Sequence, residues 1–370
     1  MAQGWCAPRR RPIKESLELL HGKLPPDVLE RLVFNHLGKI DPDVVLGPGT
    51  GRDAALLRVG NMVLVASTDP ITGSIEDVGW LSVHVNANDV AAFGVAPRWF
   101  FLSIMLPSGN KASSIGRIME QVDEAAKSLN VSVAGGHTEV TPSIDRPIVA
   151  GFMLGLARQG QYVVPSGARP GDSIVLTKTI GIEGTAIIAA EGAPMLVERV
   201  GRKVISEGRS LRSQISVVRE GLAAFQSGHV TGMHDPTEGG VAGGVHELCD
   251  SSEVGCEIDS DTLPIHPSTE ALCQELGINV LELISSGCML ITCDPEHAND
   301  VVSAVQSTGV AARVIGTLVS DPAHRVLTSR KGLRRLPRPK TDALWGALRK
   351  IEDARNHARG RSRHRSRPPQ

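Results

Sequence analysis

The sequence predicts two successive α/β domains, and three observations carry that expectation. Strand-like and helix-like segments alternate from Pro26 to Ala157. A Pro/Gly-rich turn, "VPSGARPGDSIVLTK", interrupts them near residues 160–170, and the alternation then resumes as far as residue 335. At 370 residues the chain has room for two domains, and a hydrophobic content of 41% excludes disorder of the whole. With 39 Gly and 23 Pro but one Tyr and six Phe, the composition suits an aliphatic core with backbone-lined loops.

Each element has its own signal. "PPDVLERLVFNHLG" opens on proline, carries an apolar stripe and stops at Gly38, which predicts a helix over 26–37. "AALLRV" and "MVLVAS" read as strands of a hairpin turning at Gly60-Asn61. Residues 79–93 read as a helix, "RWFFLSIML" as a strand, "SSIGRIMEQVDEAAKSLN" as a helix, and "VSVAGG" and "IVAGFMLGLA" as strands. Beyond the boundary come a strand in "SIVLTK", helices around 184–191, 213–226, 239–250 and 296–307, and the strands "CEID", "CMLITC" and "ARVIGTLV". No heptad or short repeat occurs. The expected divisions are an arm (1–25), an N-terminal domain (26–160), a C-terminal domain (161–335) and a basic, disordered tail (336–370). The tail ends in "RNHARGRSRHRSRPPQ", six arginines with no acid and nothing apolar to fold around. It is the one place where a nucleic-acid contact could attach.

Cys6, Cys249, Cys256, Cys273, Cys288 and Cys293 make no C-x-x-C pair, so reduced thiols are expected. The basic start "MAQGWCAPRRRPIK" is not followed by an apolar signal core, and no run approaches the roughly 20 apolar residues of a membrane span. A cytoplasmic, membrane-free protein is the expectation.

The chemistry-bearing residues stand out against apolar neighbours. In the helix 79–93, Ser82, Asn86 and Asp89 follow helical spacing and form a narrow, partly buried polar stripe. A buried carboxylate must be neutralised, hydrogen-bonded or bound to a cation. Asp53 ("GTGRDAAL"), Asp69 ("ASTDPITG") and Asp235 ("MHDPTEGG") recur at loop starts beside Gly, Thr or Pro. Mg²⁺ is held through a few carboxylates together with substrate phosphates, although any one Asp in a turn more simply bonds its own backbone. Glycine segments at 47–51, 134–140, 179–184 and 237–244 let backbone N–H groups approach an anion. None is a G-x-x-x-x-G-K-[ST] loop or a convincing G-x-G-x-x-G turn, which weakens a dinucleotide-binding reading. His137, His234 and His246 lack zinc spacing, His84 and His246 read as packing or hydrogen-bonding residues, and no nucleophile elbow is present.

Taken in order, "GRDAA", "STDP", "HVNANDVAAFGVAPRW", "AGGHTEV", "GARPGDSIVLTKTIG", "MHDPTEGGVAGGVHEL" and "SSGCMLI" resemble the successive motifs of the AIR synthase superfamily over residues 26–330. "NDVAAFGVAP" and "DPTEGG" resemble its HypE-like branch. The resemblance implies a two-domain α/β (α+β) fold that forms a homodimer through its N-terminal strands, with Mg²⁺ and ATP in a cleft near that interface. ATP would activate a small-molecule or peptide-end acceptor by phosphoryl transfer. It further implies Asp53, Asp69, Asp89 and Asp235 as metal ligands, and Asp89, Asp235 and Glu238 as catalytic positions. Gly51, Asn88, Gly135, Gly136, Thr138, Glu139 and Gly181 would meet the nucleotide.

Departures bear on the reaction. HypE acts on its own C-terminal cysteine, whereas no cysteine follows Cys293 here, so self-modification is not expected. Ile182 occupies a position usually Asp in both HypE and thiamine-monophosphate kinase, leaving Glu183 as the nearest acid, and Glu238 stands where HypE has Arg and resembles the acidic position of the kinase. Cys6 and Lys14 lie outside any glycine loop of the selenophosphate synthetase kind. The alternatives are therefore a thiamine-monophosphate-kinase-like enzyme and a non-catalytic nucleotide-binding paralogue.

Overall fold

A computed structural model describes residues 19–365, with side chains described to residue 357. Cys6, Lys14 and residues 366–370 fall outside the described part, as do the side chains of the tail arginines beyond Arg355.

The N-terminal domain runs α1 (Pro26–Val28), β1 (Val44–Leu46), β2 (Ala55–Val59), β3 (Met62–Ile71), α2 (Val78–Ala91), β4 (Pro97–Pro107), α3 (Ala112–Ser128), β5 (Ser132–Thr141) and β6 (Ile148–Arg158). The expected helix over 26–37 is shorter: α1 passes into a π-helical turn, Leu29–Val33, and stops at Phe34. Leu32 and Leu37 stay exposed, so its apolar stripe has nothing to pack on that would hold a longer helix. The strands form one sheet in the order β1-β2-β3-β6-β4-β5. Only β4 and β5 are parallel, as their crossover through α3 requires.

The C-terminal domain comprises β7 (Ser173–Thr177), α4 (Ile182–Val200), α5 (Arg202–Ser210), α6 (Val218–Gln226), β8 (Val230–His234), α7 (Gly240–Ser252), β9 (Gly255–Asp259), α8 (Pro267–Leu276), β10 (Leu290–Cys293), α9 (Ala298–Gln306), β11 (Ala312–Val319), β12 (Arg325–Thr328), β13 (Arg334–Arg335) and α10 (Ala343–Arg365). Its sheet has the order β13-β12-β9-β11-β7-β10-β8 and is antiparallel except where β12 meets β9. The central strand β7 is buried at every position.

Two departures from the sequence reading matter for function. α2 is buried along nearly its whole length, so its polar stripe lies in the interior rather than at a boundary. One apolar core runs on both sides of it, joining Val85 and Phe93 to Ile187, Leu211 and Ile215 of the second domain. The second departure is the tail: residues 343–365 are helical. Leu344, Ala347 and Ile351 of α10 are buried, and the ideal Cβ position at Gly192 of α4 is 3.0 Å from Ile351 Cδ1. An apolar stripe at i, i+3 and i+7 was present before the arginine run, and it is enough to dock the helix.

Candidate active site

The opening polar stripe of α2 separates into two struts and one reactive group. The Asn86 side chain clamps β3 in both directions: its Oδ1 accepts from Asp69 N at 2.9 Å and its Nδ2 donates to Asp69 O at 3.1 Å. Asn88 does the same for the second domain, accepting from Val217 N and donating to Ile215 O, each at 2.9 Å. Asn88 thus serves as a bolt between domains, with its amide already engaged, where the resemblance had implied a nucleotide contact. Asp89 is left with one partner, Ser67 Oγ, which donates to Oδ2 at 2.9 Å.

Around Asp89 the fold gathers the other three acids. Asp53 precedes β2, Asp69 sits on β3 and Asp235 follows β8. Burial raises the pKa of Asp89 well above the ordinary carboxylate range, and the charges of Asp69, Asp53 and Asp235 raise it further. Asp235 is pushed well up by burial and then by Asp53, against the opposing charge of His234 and a nearby Asn88 amide, and neither of its buried oxygens has a hydrogen bond of good geometry. Asp69 is raised to about 6, chiefly by burial. Carboxylates that repel one another in this way are relieved either by taking up protons or by added positive charge.

A chain of ion pairs holds the rim of this cluster. Asp53 Oδ1 lies 2.8 Å from His234 Nδ1, His234 Nε2 lies 3.1 Å from Glu247 Oε2, and Lys23 Nζ lies 2.7 Å from Glu247 Oε1. Burial would depress the His234 pKa, but Asp53 and Glu247 outweigh it and carry it up to about 10. Burial likewise works to raise the Glu247 pKa, which Lys23 and His234 hold down at about 2. The chain ties the arm, the first domain, β8 and α7 together. It needs Gly51: that residue has φ of +69°, and an ideal Cβ there falls 2.5 Å from the Glu247 carbonyl oxygen.

Beside the acids opens a cleft of about 1100 Å³ between the domains. Glu183 in the first turn of α4 lines it, 4% exposed and raised to about 8 by burial, with Oε2 unpartnered. Glu238 also lines it, and its Oε2 accepts from Lys23 N at 2.6 Å. Gly181 caps α4 in the left-handed region, its N–H donating to Ser285 Oγ at 2.9 Å. The outer wall comes from the arm at His21–Lys23 and from α10, including Trp345 and Leu348.

Of the expected residues Asp69 and Glu238 line the cleft, Asp53, Asp89 and Asp235 cluster with Asp69, and Gly181 precedes the cleft-lining Glu183 by two residues. Gly135, Gly136, Thr138 and Glu139 lie on the exposed edge strand β5, and none lines the cleft. Gly136 serves the sheet instead, since a Cβ there would fall 2.2 Å from Leu102 O on β4. His84 packs against Trp80 with ring centroids 4.3 Å apart, while His246 bonds Leu336 O, as a packing and a hydrogen-bonding histidine should. Lys23, His234 and Glu247 escaped sequence reasoning. The only hint was the His-Asp dipeptide at a strand end, which local sequence cannot connect to an arm more than two hundred residues away.

The domain family described as AIR synthase related protein matches twice, its N-terminal domain over residues 51–157 and its C-terminal domain over 169–328. The carbamoyl dehydratase HypE of Cupriavidus necator is 30% identical over 292 residues, covering 76% of this chain and 80% of that protein. In fold, the chain is similar to the hydrogenase maturation protein HypE in its crystal structure in complex with ATP (TM-score 0.66, 22% identity, 87% of this chain and 96% of that one). It is also similar to thiamine monophosphate kinase from Aquifex aeolicus (TM-score 0.58, 21% identity, 76% of this chain and 92% of that one).

Proposed function

Because the chain belongs to the AIR synthase related family, we propose that its cleft binds Mg²⁺ and ATP and that it transfers a phosphoryl group to activate a small-molecule or peptide-end acceptor. The observation that carries this reading is the buried acid cluster with Asp235 unpartnered, which fits a cation. No three of the cluster's carboxylates bring one oxygen each within 4.8 Å of one another, so they do not form a closed cage for one ion. That spacing suits Mg²⁺, which takes one or two carboxylates and fills the remaining positions with phosphate oxygens and water. Bound there, Mg²⁺ would supply charge neutralisation for the phosphates.

The chain's own residues have separable tasks in this reading. Asp53, Asp69, Asp89 and Asp235 hold the cation side, and the Asp53–His234–Glu247–Lys23 chain fixes Asp53 and keeps the arm closed on the rim. Gly181, its own N–H held by Ser285, turns the chain into α4, whose first N–H groups, those of Ile182 and Glu183, would meet an anion. Glu183, raised to about 8, sits in the cleft wall as a carboxyl that is mostly protonated at neutral pH and would take a proton from an acceptor through its ionised fraction, which grows toward pH 8. Glu238 favours a second reading, the thiamine-monophosphate-kinase-like one, because an acid at this position lines the cleft.

A homodimer belongs to the same proposal. Phe101 and Phe152 are register partners on β4 and β6 and both are exposed, as are Val133 and Val140 on β5. This apolar sheet face, running out to the edge strand β5, suits pairing with a second copy, which would carry Thr138 and Glu139 toward a partner's cleft. The test is calorimetry of ATP binding with and without Mg²⁺, followed by a metabolite-fraction screen in which nucleotide products are identified. Mg²⁺-dependent ATP binding that Asp235→Asn abolishes is expected. ATP binding indifferent to both the metal and Asp235 would overturn the reading.

A further inference from the structure

The cleft uses one end of β8, where His234 meets Asp53; the opposite end carries a second donor set. His229 immediately precedes β8, and β10 pairs antiparallel with it so that Cys293 lies opposite Val230. The chain leaving β10 therefore emerges beside His229. There Asp294 caps a 3₁₀ turn, Pro295–His297, its Oδ1 accepting from Glu296 N at 2.9 Å, and this turn places His297. Asp300 follows three residues later in the first turn of α9, with its Oδ2 3.0 Å from His297 Nδ1. The two imidazoles lie face to face, with centroids 3.8 Å apart and planes 14° from parallel.

One ligand atom each from His229, His297 and Asp300 lies within 4.8 Å of the others, and among the described residues no other group of His, Cys, Asp or Glu meets that condition. Metal–nitrogen and metal–oxygen bonds of about 2.0–2.2 Å span donors roughly 3–4 Å apart, so the three ligand atoms are close enough for one ion once the imidazoles turn out of their stacked arrangement and aim their in-plane nitrogen lone pairs at it. The donor types decide which ion. Two imidazoles and a carboxylate are the set that zinc-class metals take, whereas Mg²⁺ and Ca²⁺ prefer all-oxygen sites.

We propose that His229, His297 and Asp300 form a binding site for a zinc-class divalent cation, Zn²⁺ or Co²⁺, separate from the cleft. Three protein ligands leave at least one position for water or a further donor, which makes the ion exchangeable rather than structural. Both histidines are half-buried and anchored at strand and helix ends, while Asp300 is exposed and gives the ion its path from solvent.

The test is equilibrium dialysis of the full chain against Zn²⁺ in excess Mg²⁺, with the visible spectrum of the Co²⁺ form as a second readout. One equivalent is expected to bind, and His297→Ala and His229→Ala should each weaken it by about tenfold or more. Asp300→Asn, a gentler change at an exposed position, should weaken it less and alter the Co²⁺ spectrum. His357→Ala, in the tail helix, should change nothing. Circular dichroism and an unchanged Mg²⁺–ATP thermal shift in His297→Ala would show that folding and the cleft are intact, so failure here is distinct from failure of the ATP reading. The proposal is overturned if no equivalent binds, if the variants bind as the parent chain does, or if His357→Ala is the variant that loses the ion.

Discussion

Replacing Asp89 by Asn separates a metal-facing carboxylate from a structural one. The substitution keeps the shape, and Asn Oδ1 still accepts from Ser67 Oγ, now 2.9 Å from Asp89 Oδ2. What it removes is a buried charge whose pKa stands well above the ordinary range because of burial and then of Asp69, Asp53 and Asp235. A like charge at about 6 Å and an effective dielectric of about 20 costs roughly 3 kcal/mol. Partial protonation and relaxation leave a smaller expected gain, about 1–2 kcal/mol in the ligand-free protein near pH 8. The Mg²⁺–ATP stabilisation, set by ligand concentration over dissociation constant, should largely vanish at the same time. Thermal melts of both proteins with and without Mg²⁺–ATP read the two effects independently. A variant that is destabilised by roughly 1–3 kcal/mol yet keeps the full ATP shift would refute the reasoning, because that is the signature of a lost structural hydrogen bond to a charged group.

The ligand-free protein should lose stability as pH rises from about 6.5 to 9. Glu183 is raised to about 8 and Asp342 to about 7, so each binds more proton folded than unfolded above its ordinary pKa and each adds a penalty up to its folded value. His234, raised to about 10, has the same sign: its ion pairs contribute fully below its unfolded pKa near 6.5 and are lost as pH climbs through 10. Each group contributes up to about 1.4 kcal/mol per pH unit in its own window. In urea titrations Glu183→Gln should flatten the fall up to about pH 8, and an unaltered slope would contradict the burial argument. The tail should divide past Ile351, the last buried member of the apolar stripe Leu344, Ala347 and Ile351. Ile351→Asp places a charge where the side chain is 2% exposed and should cost roughly 3 kcal/mol or more with loss of the α10 wall, whereas removing 358–370 should leave melting and ATP affinity unchanged. Equal melting temperatures for Ile351→Asp and the parent chain would mean that α10 is not docked.

Periodicity carried most of the fold. The hairpin at Gly60-Asn61, the long helix α3 and the strands β4, β6 and β11 stand where their patterns put them, because each buries one regular face. The short helices α5 and α8 did not show, since tertiary packing rather than a long stripe holds them: Ile205 and Leu272 are buried against α4. The four acids were legible as a set because an Asp among small or apolar residues needs a reason to be there. Their helpers were not. Asn86 and Asn88 look alike in sequence, and both are clamps whose targets, Asp69 on β3 and residues 215–217, no local pattern reveals. Lys23 and Glu247 meet only because the arm lies across α7.

The same geometry divides the cleft by origin. Asp53, Asp69, Asp89 and Asp235, the acids proposed to hold the cation, all lie inside the two family-matched stretches, 51–157 and 169–328. The outer wall does not: His21–Lys23 precede the first match, and Asp342, Trp345 and Leu348 follow the second. These two outer segments are joined to each other and to the glycine motif, through Thr341 Oγ1 donating to His21 O at 2.7 Å and Gly239 N donating to Asp342 Oδ2 at 2.6 Å. They also reach the acid cluster through Lys23, whose ammonium pairs with Glu247 and whose backbone N–H is accepted by Glu238. In the proposed reading the phosphate side is therefore common family equipment, while the acceptor side is built from segments outside the matched domains. Trp345→Ala is the substitution that tests this division. Its side chain lines the outer wall and its Nε1 makes no hydrogen bond, so acceptor-dependent turnover should fall while Mg²⁺–ATP affinity holds, and an equal loss of both would show that the wall serves the nucleotide instead.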